Sequence, residues 1–154
     1  MIEKEKFGGI ALKHVGRYND YVRMTKQRLS EYNNFLVYVE NARKELKVKE
    51  KSLGSALDCS TPIAEEIDII KRNVSEVQLQ IDNIRRALDS LDHDSRQVIH
   101  EYYIGKKSWE QIAQDMHYST KWVREKRRKA LQDIAIMLFG ARAKPKQLSF
   151  VFAP

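Results

Sequence analysis

From Ile63 the apolar residues recur at alternating steps of four and three: Ile63, Ile67, Ile70, Val74, Val77, Ile81, Ile84, Leu88 and Leu91. No polar residue interrupts the series, which is the spacing of a heptad seam and predicts one long helix. Pro62 behind Thr61 suits its first turn, where a missing N–H costs nothing. A looser seam precedes it: Tyr18, Val22, Thr25, Leu29, Tyr32, Leu36, Val39, Arg43, Leu46, Glu50 and Leu53. Thr25, Arg43 and Glu50 interrupt this second series, and Tyr21 and Phe35 widen it. Between the two lies Gly54–Thr61, rich in turn-forming residues. Two long helices joined by a short loop are expected to fold back as an antiparallel, coiled-coil-like hairpin over residues 18–91, behind a separate segment at 1–17.

A two-helix hairpin gives each seam one partner face. Burying the second seam is worth roughly 1.5–3 kcal/mol per side chain before entropy is counted. The additional apolar positions Ile69, Leu79, Tyr21 and Phe35 call for a further partner. A homodimer forming a four-helix bundle is one answer; packing against the chain's own C-terminal domain is the competitor.

Beyond Leu91 the period stays helical but the segments shorten, so the expected fold is all-α. Asp92-His93-Asp94 can cap a helix over 94–104, with Asp94 and Gln97 spaced as a capping box and Val98, Ile99 and Tyr102 inward. Gly105-Lys106-Lys107 ends it in the manner of a C-terminal glycine. Ser108 can cap the next helix with Gln111 three residues on, and Trp109, Ile112, Ala113 and Met116 form one apolar stripe. Met116–Ser119 breaks the pattern. His117 stands where a left-handed residue is wanted, a conformation that histidine tolerates better than most residues. Ser119 can cap a last helix with Val123, Ala130, Leu131 and Ile134 inside, stopped by Gly140. Residues 92–139 thus read as a tri-helical helix-turn-helix unit.

The outer face of that last helix carries the candidate chemistry. Lys121–Lys129 contains six Lys/Arg and one acid, Glu125. With Val123 inward and about 100° per residue, Lys121, Arg124, Glu125 and Arg128 project outward together. A helix fits the major groove of duplex DNA, where Arg and Lys read guanine and a carboxylate accepts from cytosine. The alternative is a solvated charged face, but this run begins at the capped turn where a recognition helix would begin.

These residues carry a family resemblance. Leu91, Arg96, Val98-Ile99, Tyr103, Ser108–Ala113, Tyr118-Ser119, Val123 and Lys129–Leu131 resemble region 4, the promoter-reading part of sigma-70-type factors. Trp109 behind the capping serine, and the layout of the chain, resemble short sigma-like regulators of Gram-positive phages, the ArpU/RinA late-transcription activators. By that resemblance Thr120, Lys121, Arg124, Glu125 and Arg128 take base-reading positions, and Ser119 and Lys129 take phosphate contacts. Two departures stand out: His117, where glycine or asparagine is usual, and Lys126-Arg127, unusually basic near the inner face.

Charge adds weight. The net charge is +7, but residues 1–53 carry 12 Lys/Arg and 7 Asp/Glu, 54–91 carry 4 and 7, and 92–154 carry 12 and 7. Basic ends around an acidic middle fit localised contact with a polyanion. The single cysteine, Cys59, leaves no intrachain disulfide or cysteine zinc site. No apolar run could cross a bilayer and the first residues are too charged for a secretory leader, so a cytoplasmic location and no membrane partner are expected.

After Gly140 a basic linker leads to an apolar stretch at 147–152, within a terminal segment at 140–154. Gln147, Leu148, Phe150 and Phe152 resemble the short peptides that dock on the bacterial DNA sliding clamp; covering the protein's own core is the plainer role. No phosphate-binding loop, dinucleotide fingerprint or metalloprotease motif appears, and the four histidines show no metal-ligand pairing. The expectation is therefore no enzyme, no metal and no cofactor. It is instead a sequence-specific DNA-binding transcription regulator or RNA polymerase adaptor, phage-encoded and dimeric. The rival is the small DNA-recognition subunit of a phage packaging terminase.

Overall fold

The computed structural model describes residues 2–54 and 62–145, with side chains from residue 20 onward. Cys59, the loop around it, and the tail with Gln147, Leu148, Phe150 and Phe152 lie outside the described residues. All regular structure among the described residues is helical: α1 (Ile2–Gly54), α2 (Pro62–Asp89), α3 (His93–Ile99), α4 (Trp109–Met116) and α5 (Thr120–Phe139). α1 runs through position 17 without a break, so the expected N-terminal segment is part of the same helix.

α1 and α2 lie side by side. Lys49 pairs with Glu66 at 2.6 Å and Lys71 with Glu50 at 3.2 Å, while Arg43 donates to Gln78 at 3.1 Å. From Lys49 back to Arg43 on α1 the partner moves forward from Glu66 to Gln78 on α2, so the two run antiparallel. Arg43 and Glu50, which break the α1 seam, are thus polar clasps to α2. Exposed pairs of this kind add little stability but fix register. Thr25, the third interruption, is fully buried, and its hydroxyl donates to the Tyr21 carbonyl at 2.8 Å, leaving no unsatisfied donor.

The stability resides in one core shared by the long helices and the C-terminal unit. Leu29 of α1, Ile84 and Leu88 of α2, Ile99 of α3, and Leu131 and Ile134 of α5 form a contiguous buried cluster. Phe35 packs against it, and the Tyr21 ring sits 5.1 Å from that of Phe139. The apolar residues that widen the α1 stripe are therefore covered by the chain's own C-terminal helices. Ile69 and Leu79 of α2 stay exposed.

The corner between α2 and α3 is short and closed by side chains. Asp92 is the N-cap of α3, its carboxylate accepting from the Ser95 N–H at 3.1 Å. The expected Asp94/Gln97 box does not form: Gln97 instead donates to Glu101 at 3.3 Å. Arg96 reaches back and donates to the carbonyls of Leu88 (3.0 Å), Asp89 (2.9 Å) and Leu91 (3.3 Å). Leu88 and Asp89 stand in the last turn of α2, where carbonyls lack intrahelical partners.

α3 does not continue as an α-helix to 104. His100–Ile104 form a π-helical turn, closed by Gly105 N–H donating to the His100 carbonyl at 2.9 Å. Tyr103 is buried there, and Tyr102, expected inward, is half-buried and packs against both cores. Gly105 has an ordinary φ of −78°, and Lys106 holds the left-handed position at 55°. The glycine is required for space instead: a Cβ there would lie 2.9 Å from the Glu101 carbonyl oxygen.

Candidate nucleic-acid interface

Ser108 is the N-cap of α4, its hydroxyl accepting from the Gln111 N–H at 3.2 Å. Ile112 and Ala113 are buried; the small alanine lets α4 lie close to α5. At the end of α4, His117 adopts φ 60°, ψ 35°. Its N–H donates to the Gln114 carbonyl at 3.3 Å and the Tyr118 N–H to the Ala113 carbonyl at 3.0 Å, the bond pair of a left-handed helix stop. Two residues later Ser119 caps α5, accepting from the Trp122 N–H at 3.1 Å. The turn that the sequence predicts around His117 is therefore present, built on histidine where glycine is usual.

Under this turn lies a second small core of Val98, Ile112, Ala113 and Val123, flanked by Trp109, Met116 and Trp122. Val123 is fully buried, so it fixes the rotation of α5 as expected. Thr120, Lys121, Arg124, Glu125 and Arg128 then line one shallow groove on the exposed face. None of these charged groups forms an ion pair within the described residues. Ser119 and Lys129 are also exposed but lie outside that groove, and the Ser119 hydroxyl already accepts the capping bond.

The inner flank explains the two basic residues that looked out of place. Arg127 lies 4.9 Å above the Trp109 ring, which stacks on Tyr102 at 3.6 Å with an interplanar angle of 8°. It also donates to the Tyr103 hydroxyl at 3.3 Å. Arg127 is thus a cation clamped between α5, α4 and the π turn, not a free contact for DNA. Burial pushes the Tyr103 hydroxyl pKa up, although Arg127 opposes the shift.

Lys126 lies 5.4 Å from the centre of the Trp122 ring and 3.9 Å from Asp92. Trp122 in turn stacks on Tyr118 at 3.7 Å. This ladder was not singled out from sequence; the i, i+4 spacing of Tyr118, Trp122 and Lys126 was the available signal. Lys107 joins the π turn to α4 through Asp115 at 3.1 Å, a bond that raises its ammonium pKa.

Among the described residues no group of three His, Cys, Asp or Glu is placed to hold a metal ion, and no helix is long and apolar enough to cross a membrane. No curated protein and no solved structure matches the chain. Residues 87–135, from the last turns of α2 through most of α5, match the family Sigma-70, region 4, and so carry a DNA-binding helix-turn-helix similar to that of sigma factors.

Proposed function

We propose that this protein is a sequence-specific DNA-binding regulator of transcription, working beside RNA polymerase and without an enzymatic activity of its own. The observation that carries the reading is the exposed face of α5. A capped helix presents Thr120, Lys121, Arg124, Glu125 and Arg128 in one groove, with the charged members forming no ion pair among the described residues. Arg and Lys there suit guanine edges and Glu125 suits a cytosine amino group, with Ser119 and Lys129 at the margins for phosphate. DNA that binds here would place the protein in the cytoplasm of a bacterial host. The Trp109-after-Ser108 signature and the long-helix layout support a phage regulator of the ArpU/RinA kind.

We read the role as that of an adaptor or activator, with the paired helices α1 and α2 as its partner-binding part. Ile69 and Leu79, exposed on α2, are apolar contacts left for a second copy of the chain. The test is selection of bound sequences from a random duplex pool, with and without the host polymerase. A defined motif is expected, and Lys121→Ala or Arg124→Ala should weaken binding to it by about 1–3 kcal/mol with unchanged helical content. No sequence preference under either condition would refute the reading. Solution mass separates the regulator, as a dimer, from a many-copy packaging ring.

A further inference from the structure

Between α1 and α2 lies a groove of about 460 Å³. Its floor is apolar: Val39 and Ile81 are buried, but Leu36, at a seam position, keeps 37 % of its surface exposed. Its rim is cationic. Arg43 donates to the neutral amide of Gln78, so its charge is not cancelled. Lys47 has no carboxylate within ion-pair distance among the described residues. Arg85 is held charged by the Tyr32 hydroxyl and by the nearby carboxylates of Asp82 and Asp89, which push its pKa up. The one acid in the lining, Glu40, is occupied by Lys44 at 2.7 Å.

We propose that this groove docks an acidic amphipathic helix of a partner protein, with its apolar stripe on Leu36, Val39 and Ile81 and its carboxylates on Arg43, Lys47 and Arg85. An apolar floor between cations is the pattern of a helix-in-groove site. A phosphate backbone would gain nothing from that floor. The chain's own C-terminal residues 140–154 contain Arg142, Lys144 and Lys146 and no acid, so they do not complement it. A second copy meeting this face symmetrically would oppose like charges.

At 1.5 Å per residue, Lys47 is roughly 27 Å along α1 from Leu29 in the shared core. The groove shares no lining residue with the α5 face, so a partner here and DNA there use different surfaces.

Fluorescence anisotropy with the full-length protein tests this. The probe is a labelled synthetic helix with leucines at three–four spacing flanked by glutamates. A second probe carries glutamine for every glutamate, and a third is duplex DNA. Tight binding of the acidic probe is expected, weakened about tenfold or more by Arg43→Glu or Lys47→Glu and within about twofold of wild type in the exposed control Lys51→Glu, with poor binding of the glutamine probe. Circular dichroism identifies any variant that has lost its fold, and Lys47, which has no ion-pair partner among the described residues, is the substitution least able to disturb it. Four results would overturn the proposal. They are no binding to wild type, an equal loss in Lys51→Glu, full binding of the glutamine probe, and a loss of duplex binding with the acidic probe unaffected. The last would make the groove a nucleic-acid surface.

Discussion

Arg96 donates its Nε to the carbonyl of Leu88 at 3.0 Å, across the corner that joins the long helices to the DNA-binding unit. Its Nη2 takes the carbonyls of Asp89 and Leu91. One guanidinium therefore ends α2 and anchors α3 to it. Because Leu88 and Ile99 also share the main core, the reader is held to the hairpin by packing and by this polar clasp together.

Replacing Arg96 by alanine should cost about 1–2 kcal/mol, as the terminal carbonyls lose charged donors while remaining partly open to water. Lysine should recover less than half, since an ammonium cannot span three carbonyls as a planar fork does. Urea unfolding followed by helical signal measures both. A loss below about 0.5 kcal/mol for alanine would mean the corner is held by packing alone.

Arg127→Ala should destabilise the helix-turn-helix by about 1–2 kcal/mol, because it removes a cation over Trp109 and the donor to the Tyr103 hydroxyl. Stability and Trp109 fluorescence should change together. Arg124→Ala should do the opposite, leaving the melting temperature in place and weakening DNA binding. If both variants alter DNA affinity without altering stability, Arg127 contacts DNA and the clamp is incidental.

Gly105 and Lys106 invert the usual rule about glycine. Gly105→Ala should cost about 1–3 kcal/mol, because its new Cβ meets a backbone carbonyl that cannot swing aside. Lys106→Gly should stay within about 0.5 kcal/mol of wild type: relief of the left-handed backbone offsets loss of the bond from Lys106 to the Ser30 carbonyl. Thermal melts of the two variants check the order. Equal costs would contradict this account of the π turn.

Asp92 should give the fold an acid-sensitive step. The hydroxyl and N–H of Ser95 hold its carboxyl below the ordinary value of 3.8, with Lys126 adding to the effect. A lowered folded-state pKa contributes stability above the unfolded value, and that contribution is lost as pH falls through the folded one. Asp92→Ala should therefore cost about 1 kcal/mol at neutral pH, and its difference from wild type should shrink below about pH 3.8. Melts taken from neutral to strongly acidic pH test the shape. A constant difference across that range would remove Asp92 as the titrating cap.

Much of the reader was legible because its signals are local. Ser108 and Ser119 cap helices through their own backbone neighbours, His117 turns within one residue, and Val123 sets the rotation of α5 by periodicity alone. The uncommitted face of Lys121, Arg124, Glu125 and Arg128 follows from that rotation. Such features depend on residues within a turn or two, so the sequence by itself determined them. Tertiary structure decided what depended on distant partners. Tyr103 is buried in the core shared with α1, α2 and α5, whereas Tyr102 stays half-buried at its edge. Arg96 is spent on carbonyls of another helix, and Arg127 is drawn onto Trp109 and Tyr103. Tyr21 and Phe35, legible as surplus apolar surface, became explicable once α5 and the turn after it lay across α1. An apolar side chain specifies that it must be covered, through the water it displaces, but not by which surface, since that attraction has no direction.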